Sequence, residues 1–210
     1  MLFDFQENTI ESEKERNFYF KFFAGYYFNE LVPGTDSRIQ DFCKLLNSSP
    51  YLFNDPDFGI ELSLGSTHVT FDLHAYLFDR QTDRGELADI FIVDQVKSVC
   101  IAIEAKWLED WDYEKDIISN NGRIQKLKEI GHFKNVYQCL LIKRSKLENG
   151  KKKEKKTGSN YSRLFDKKDI PIILITWECL LENIDEPAVR NFYKHYIEMS
   201  KADFRKGLKF

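Results

Sequence analysis

Two short apolar runs joined by a polar turn constrain the fold of this chain more than any other stretch. They span Leu87 to Val93 and Val99 to Ala105, and both are rich in Ile and Val. Runs of this length and composition predict β-strands, and the short connection predicts that the two strands form a hairpin. Apolar side chains occupy odd and even positions alike, so we expect both faces of each strand to be buried. The pattern therefore predicts central strands of a sheet that is covered on both sides.

Three ionisable residues, Asp89, Glu104 and Lys106, interrupt this apolar context. Side chains alternate along a strand, so Glu104 and Lys106 share a face. A hairpin that turns symmetrically about Val96 and Lys97 pairs position 89 with position 104, which brings Asp89 beside them. The Cβ atoms of directly opposed residues lie about 4.5–5.5 Å apart, and two carboxylates at that separation repel each other. Because a divalent cation would relieve this repulsion, the three residues predict a metal site.

The order Ala-Asp, hairpin, Glu-Ala-Lys resembles the active-site motif of the PD-(D/E)XK nucleases, which are phosphodiesterases with a restriction-endonuclease-like fold. The resemblance implies that Asp89, Glu104 and the backbone carbonyl of Ala105 ligate Mg²⁺, for which Mn²⁺ can substitute. It also implies that Lys106 assists the attacking water. Ala88 stands where the family name places a proline, at a variable position whose change leaves the metal ligands intact.

The resemblance suggests further site residues on two predicted helices. Many members of the family carry an additional acid on their first helix, near the metal ions. The candidates here are Glu13, Glu15 and Glu30, among which the sequence does not choose. The helix that follows the Glu-x-Lys strand is expected to lend polar residues to the phosphate, and its candidates are Lys115, Arg123 and Gln125. For each residue taken singly, a solvated or helix-capping position is the more common situation, since first turns favour acids and charged helix faces are normally solvated.

The remaining patterns predict the elements around the central hairpin. They predict helices over 12–32, 36–47, 123–133 and 185–206, a hairpin from 60–64 and 68–78, and strands over 136–142 and 170–177. This order contains the α-β-β-β-α-β core of the resembled fold over roughly residues 10 to 180. We therefore expect one α/β domain over residues 1–210, with a restriction-endonuclease-like mixed β-sheet flanked by helices on both sides.

Charge is distributed unevenly along the chain. Residues 143–168 hold eleven Lys or Arg against three acids, a charge of +8 in a chain whose net charge is −3. Within this stretch we predict a flexible basic loop at about 144–163, because it contains few apolar residues. Such a loop can follow a nucleic-acid backbone electrostatically. It can equally be a flexible insert that keeps the protein soluble.

Cysteine usage and hydropathy bear on the cellular compartment. Cys43, Cys100, Cys139 and Cys179 lie far apart in predicted apolar elements, which favours reduced core cysteines over disulfides or a zinc site. No apolar run approaches the ~18 residues of a membrane span, and the first residues lack the pattern of a signal peptide. We therefore expect a cytoplasmic protein with no membrane partner.

The expected function is a Mg²⁺-dependent phosphodiesterase that cleaves nucleic acid, with DNA favoured over RNA, in restriction, phage defence or repair. A homodimer is left open. One alternative is a nucleic-acid-binding module that keeps the fold with a weakened catalytic site. Another is an α/β interaction protein in which Glu104 and Lys106 form only a solvated ion pair at a strand end.

Overall fold

The computed structural model describes residues 22–28, 35–49, 59–63, 65–70, 88–106, 127–129, 133–145 and 172–198. The helices in these ranges are a π-helical turn at Phe23–Tyr27, α1 at Thr35–Asn47, α2 at Trp177–Glu182 and α3 at Pro187–Glu198. The strands are β1 at Thr67–Thr70, β2 at Ile90–Asp94, β3 at Val99–Lys106, β4 at Asn135–Ile142 and β5 at Ile172–Thr176.

The five strands form one mixed sheet in the order β1-β2-β3-β4-β5. Strands β1, β2 and β3 are antiparallel neighbours, whereas β3, β4 and β5 run parallel. Antiparallel neighbours can be joined by tight turns, but parallel neighbours require a crossover. The predicted α/β class and mixed sheet are therefore confirmed.

The β2–β3 hairpin has the predicted register. Ile90 pairs with Ile103 and Asp94 pairs with Val99, so the turn is centred on Val96 and Lys97 as predicted. The last turn residue, Ser98, adopts a left-handed conformation with φ of 57°. Its hydroxyl accepts a hydrogen bond from the Lys134 backbone at 3.1 Å, and its carbonyl accepts one from the Asn135 backbone at 3.1 Å. The turn is thereby attached to the start of β4.

Both faces of the central strands are buried, as the sequence predicted. The larger core cluster joins alternate residues of the sheet to aromatic residues of the helical elements; it includes Ile90, Ile92, Ile101, Ile103, Phe22, Phe23, Tyr27, Phe42 and Trp177. The opposite face carries a smaller cluster, formed by Ala88, Phe91, Val93, Cys100, Ala102, Leu127 and Val136. Leu127, whose backbone is helical, is fully buried in it. Helical residues therefore contact both faces of the sheet.

The predicted strand over 60–64 is wrong for the residues that the structure describes, because 59–63 are irregular. The backbone N–H and carbonyl of Ile60 bond to the side chain of Asn47 at 2.8 and 3.0 Å. Side chains thus satisfy backbone groups that a partner strand would otherwise engage. The other predicted arm, 68–78, begins as β1 but pairs with β2, and its residues beyond 70 lie outside the described ranges.

The carboxyl-terminal elements also differ from the prediction. The strand predicted over 170–177 ends at Thr176, whose hydroxyl accepts the Cys179 N–H at 3.3 Å and caps α2. The sequence analysis missed this short helix. Helix α3 begins at Pro187, two residues after the predicted start at 185, and the carbonyl that accepts its first hydrogen bond belongs to Glu186.

All four cysteines are free thiols, and those of Cys43, Cys100 and Cys139 are buried. Burial raises the pKa of the Cys100 thiol to about 12, so this thiol is protonated near neutral pH.

None of the helices within the described ranges combines the length and apolar character that a membrane span requires.

Asp94, the last residue of β2, is a fully buried acid that stabilises the hairpin turn. Its carboxylate accepts hydrogen bonds from the Ser66 hydroxyl and the Lys97 N–H, both at 2.9 Å, and from the Ser63 N–H. Burial alone would raise the pKa of this carboxyl, but the hydrogen bonds outweigh burial and hold the pKa below its ordinary value.

We expect Asp94→Asn to lower the free energy of unfolding at pH 7 by about 2–4 kcal/mol, because three hydrogen-bond donors lose the charged acceptor that is buried at the end of β2. A lowered folded-state pKa stabilises the protein above the unfolded value of about 3.9. This stability is lost as pH falls through the folded-state pKa. The difference between wild type and variant should therefore shrink below pH ~4. Urea unfolding at pH 7 and pH 3 measures it, and equal stability at pH 7 would contradict the assigned role.

Candidate active site

Glu104 and Lys106 form an ion pair near the carboxyl end of β3. The Lys106 Nζ lies 2.5 Å from Glu104 Oε1, and the side chains are only 14% and 13% exposed, respectively. Strand alternation places both on the face of Cys100 and Ala102, which carries the smaller core cluster. The interaction-protein alternative predicts an ion pair between Glu104 and Lys106, and this pair is present. That alternative also predicts a solvated pair, whereas both side chains are largely buried.

Asp89 lies immediately before β2 and is attached to β3 by two hydrogen bonds. Its backbone N–H donates to the Ile103 carbonyl at 3.0 Å, and its carboxylate Oδ2 accepts the Ala105 N–H at 2.8 Å. The hairpin register places position 89 opposite Glu104, so the bond to Ile103 departs from the regular ladder by one residue. The carboxylate consequently lies against the residue that separates Glu104 from Lys106.

The backbone of Ala105 brings a third oxygen to this place. A strand residue directs its N–H and carbonyl towards the same neighbouring strand. Because the Ala105 N–H donates to Asp89, its carbonyl is directed to the same side of β3. The Asp89 carboxylate, the Ala105 carbonyl and the adjacent Glu104 carboxylate therefore belong to one small region at the end of β3.

This donor set is compatible with a hard divalent cation. Mg²⁺ prefers oxygen ligands, is held in many enzymes by one or two carboxylates, and keeps several waters. Asp89 and Glu104 supply two carboxylates and Ala105 supplies a carbonyl. Within the described ranges, no group of three or more His, Cys, Asp or Glu residues could hold a metal. In the structure, the ammonium of Lys106 contacts the Glu104 carboxylate.

The site lies at the edge of the sheet where β3, β4 and β5 all end. The register aligns Lys106 with Ile142 of β4, and Ile142 with Thr176 of β5. Because these strands are parallel, their carboxyl ends meet at one edge. Ligand sites of open α/β sheets lie characteristically outside the carboxyl ends of the strands. The candidate residues therefore occupy a position where this architecture can accommodate a substrate.

Several sequence-predicted residues cannot be placed relative to this site. Glu13, Glu15, Glu30, Lys115, Arg123 and Gln125 all lie outside the described ranges. Of the basic loop predicted at about 144–163, the structure describes only Arg144 and Ser145. The Arg144 N–H donates to the Glu178 carboxylate at 2.9 Å, and its guanidinium donates to Glu182 at 3.0 Å. The first residue of the predicted loop is thus attached to α2.

Sequence reasoning missed Asp94, which lies in the same hairpin as the candidate site and has a structural role. An acid followed by polar turn residues is typical of a side chain that bonds to the turn backbone, and that signal could have identified it. The sequence-predicted residues that the structure brings together are Asp89, Glu104, Ala105 and Lys106. Comparisons with protein families, curated proteins and solved structures found no match for this chain.

Proposed function

We propose that this protein is a Mg²⁺-dependent phosphodiesterase that cleaves DNA. The observation that carries the proposal is the hydrogen bond between the Asp89 carboxylate and the Ala105 N–H, beside the nearly buried Glu104–Lys106 pair. An acid and a lysine with so little exposed surface, next to the half-buried acid Asp89, are costly to maintain unless they are paired or bind an ion. Ionisable clusters of this kind occur preferentially at functional sites.

Each residue has a distinct proposed role. Asp89, Glu104 and the Ala105 carbonyl hold Mg²⁺, which when bound lowers the pKa of a water ligand and stabilises charge on the phosphate. The hydrogen bond from Ala105 fixes one oxygen of Asp89, and this orients the carboxylate before the ion arrives. Lys106 places a positive charge next to Glu104, where it can contact a phosphate oxygen or position the attacking water.

The architecture supports a restriction-endonuclease-like fold as part of the proposal. Three antiparallel strands precede a parallel fourth strand; one candidate acid, Asp89, lies immediately before the second strand and the other, Glu104, lies on the third. This is the strand order expected from the α-β-β-β-α-β core. Fold alone does not determine activity, so the functional proposal depends on the residues at the end of β3.

An activity assay tests the proposal directly. The purified protein is incubated with plasmid, linear duplex DNA, single-stranded DNA and RNA, in Mg²⁺, Mn²⁺ or EDTA. We expect cleavage of DNA with either ion and none in EDTA, and a Glu104→Gln preparation purified in parallel controls for contaminating nucleases. DNA binding without cleavage would favour the binding-module alternative, and the absence of both would favour the interaction protein.

A further inference from the structure

The end of β4 places a second lysine next to the candidate site. Lys106 of β3 pairs in register with Ile142 of β4, so Lys143 is the first residue beyond the partner of Lys106. Neighbouring strands lie about 4.8 Å apart and a strand rises about 3.3 Å per residue. The Cα atoms of Lys106 and Lys143 are therefore separated by about 6 Å.

The backbone on which Lys143 lies is held in place by α2. The next residue, Arg144, donates its N–H to Glu178 and its guanidinium to Glu182. These two bonds fix the chain directly after β4. The Lys143 side chain is half-buried, and the bonds of Arg144 give its backbone a defined position next to the candidate site.

Lys143 also lines a groove of about 470 Å³ between the end of β4 and helices α2 and α3. Arg190 and Lys194 contribute further positive charges to it, while Glu178, Glu182 and Glu198 contribute negative ones. Glu182 is paired with Arg144 at 3.0 Å, and Glu198 with Lys194 at 3.6 Å. These pairs partly neutralise the acids of the groove and lower their repulsion of an incoming anion.

The two lysines lie on opposite sides of the sheet edge. Lys106 belongs to the face of the smaller core cluster, whereas the groove of Lys143 includes Leu181, a member of the larger cluster on the other face. A polyanion that reaches both must cross the edge from β3 to β4. Successive phosphates of one DNA strand are spaced about 3.4 Å along the helix axis, so a strand that crosses the edge can offer one phosphate to Lys106 on one side and a further phosphate to Lys143 on the other.

We propose that Lys143 binds a second phosphate of the DNA strand whose reacting phosphate is held at Glu104 and Lys106, and that the DNA backbone crosses the sheet edge between β3 and β4. This inference rests on the proposed function and adds the path of the substrate. The sequence beyond Lys143 continues this positive charge, since ten of the residues from 144 to 168 are Lys or Arg.

The test compares two lysines at opposite ends of one strand. Lys134 precedes β4 and is exposed, about 30 Å from Lys143 at the rise of an extended strand. Lys143→Gln and Lys134→Gln are each introduced into the Glu104→Gln protein, and binding of a fluorescein-labelled 20-base-pair duplex is followed by anisotropy across a salt series. We expect Lys143→Gln to weaken binding about three- to tenfold at 0.1 M salt, and to reduce the slope of log affinity against log salt by about 0.9. Lys134→Gln should change neither.

Equal affinities and slopes for the Lys143→Gln and parent proteins would overturn the inference, as would equal losses in the Lys134→Gln control. Thermal unfolding of each variant verifies that the fold is intact. If wild type cleaves DNA but Lys143→Gln binds normally, this inference fails while the proposed function stands. If Lys143→Gln selectively weakens binding but wild type does not cleave, the inference stands and the proposed function fails.

Discussion

Asp89→Asn and Glu104→Gln are each expected to reduce Mg²⁺-dependent cleavage about a thousandfold. A metal ion contributes several kcal/mol of transition-state stabilisation, and about 4 kcal/mol corresponds to that factor. Both substitutions remove a charged ligand but preserve the size of the side chain. The asparagine at position 89 retains a carbonyl oxygen that can accept the Ala105 N–H, so the hydrogen bond that orders this segment need not be lost.

The alanine variants are expected to behave differently from these isosteric ones. Asp89→Ala leaves the Ala105 N–H without the acceptor seen in the structure, and Glu104→Ala removes the partner of Lys106. Relief of repulsion between the two carboxylates opposes these losses. We expect a net destabilisation of about 1–3 kcal/mol from the broken contacts, so the cleavage assay is best interpreted with Asn and Gln.

Asp94→Asn is the matched control for the two acid variants. It removes the charge of a buried carboxylate in the same hairpin, but one whose described partners are Lys97 of the turn and two serines in the segment before β1. Measured at a temperature where it remains folded, this variant should retain cleavage and metal dependence. Cleavage that persists in Asp89→Asn and Glu104→Gln would contradict the proposed roles of the two acids.

Lys106→Met is expected to reduce cleavage about a hundredfold or more, by a different route. The ammonium is not a metal ligand, so binding of the ion should survive, while the positive charge next to the phosphate is lost. Glu104 is only 13% exposed, so without Lys106 its charge is poorly compensated. We expect the metal-free variant to lose about 1–3 kcal/mol of stability, less than the 3–5 kcal/mol typical of a fully buried pair.

Added Mn²⁺ distinguishes a catalytic lysine from a purely structural one. An ion bound only by the folded state stabilises that state, so Mn²⁺ should raise the Tm of Lys106→Met more than that of wild type. Thermal unfolding with and without Mn²⁺, alongside the cleavage assay, measures this. A destabilised Lys106→Met that retains full cleavage and does not respond to Mn²⁺ would assign the ion pair a structural role alone.

Local patterns predicted the centre of the fold because its residues constrain one another. The short polar turn between the two apolar runs predicts the register in which Ile90 pairs with Ile103, because a turn centred on Val96 and Lys97 determines which residues oppose each other. The contact between Asp89 and Ala105 was not predictable in the same way. It depends on a departure from the ladder just before β2, where a side chain accepts a backbone hydrogen bond.

The predictions for residues 60–63 and for helix α2 were wrong because side chains bond to the backbone in both places. Residues 60–63 read as a strand from composition, but the side chains of Asn47 and Asp94 bond to their backbone instead. Helix α2 was missed because a short apolar run is ambiguous between strand and helix. The side chain of Thr176 caps the helix, so the backbone changes from strand to helix after this residue. The choice of an acid on the first predicted helix depends on how that helix is rotated against the sheet, which amphipathic spacing does not determine.

Titration with Mn²⁺ tests most directly whether Asp89 and Glu104 form a metal site. Isothermal calorimetry on metal-free wild type, Asp89→Asn, Glu104→Gln and Lys106→Met reports the affinity without requiring a substrate. We predict binding at this site in wild type, affinity at least about tenfold weaker in each acid variant from the loss of a charged ligand, and equal or tighter binding in Lys106→Met. Absence of Mn²⁺ binding in wild type, or affinity unchanged in both acid variants, would contradict the account.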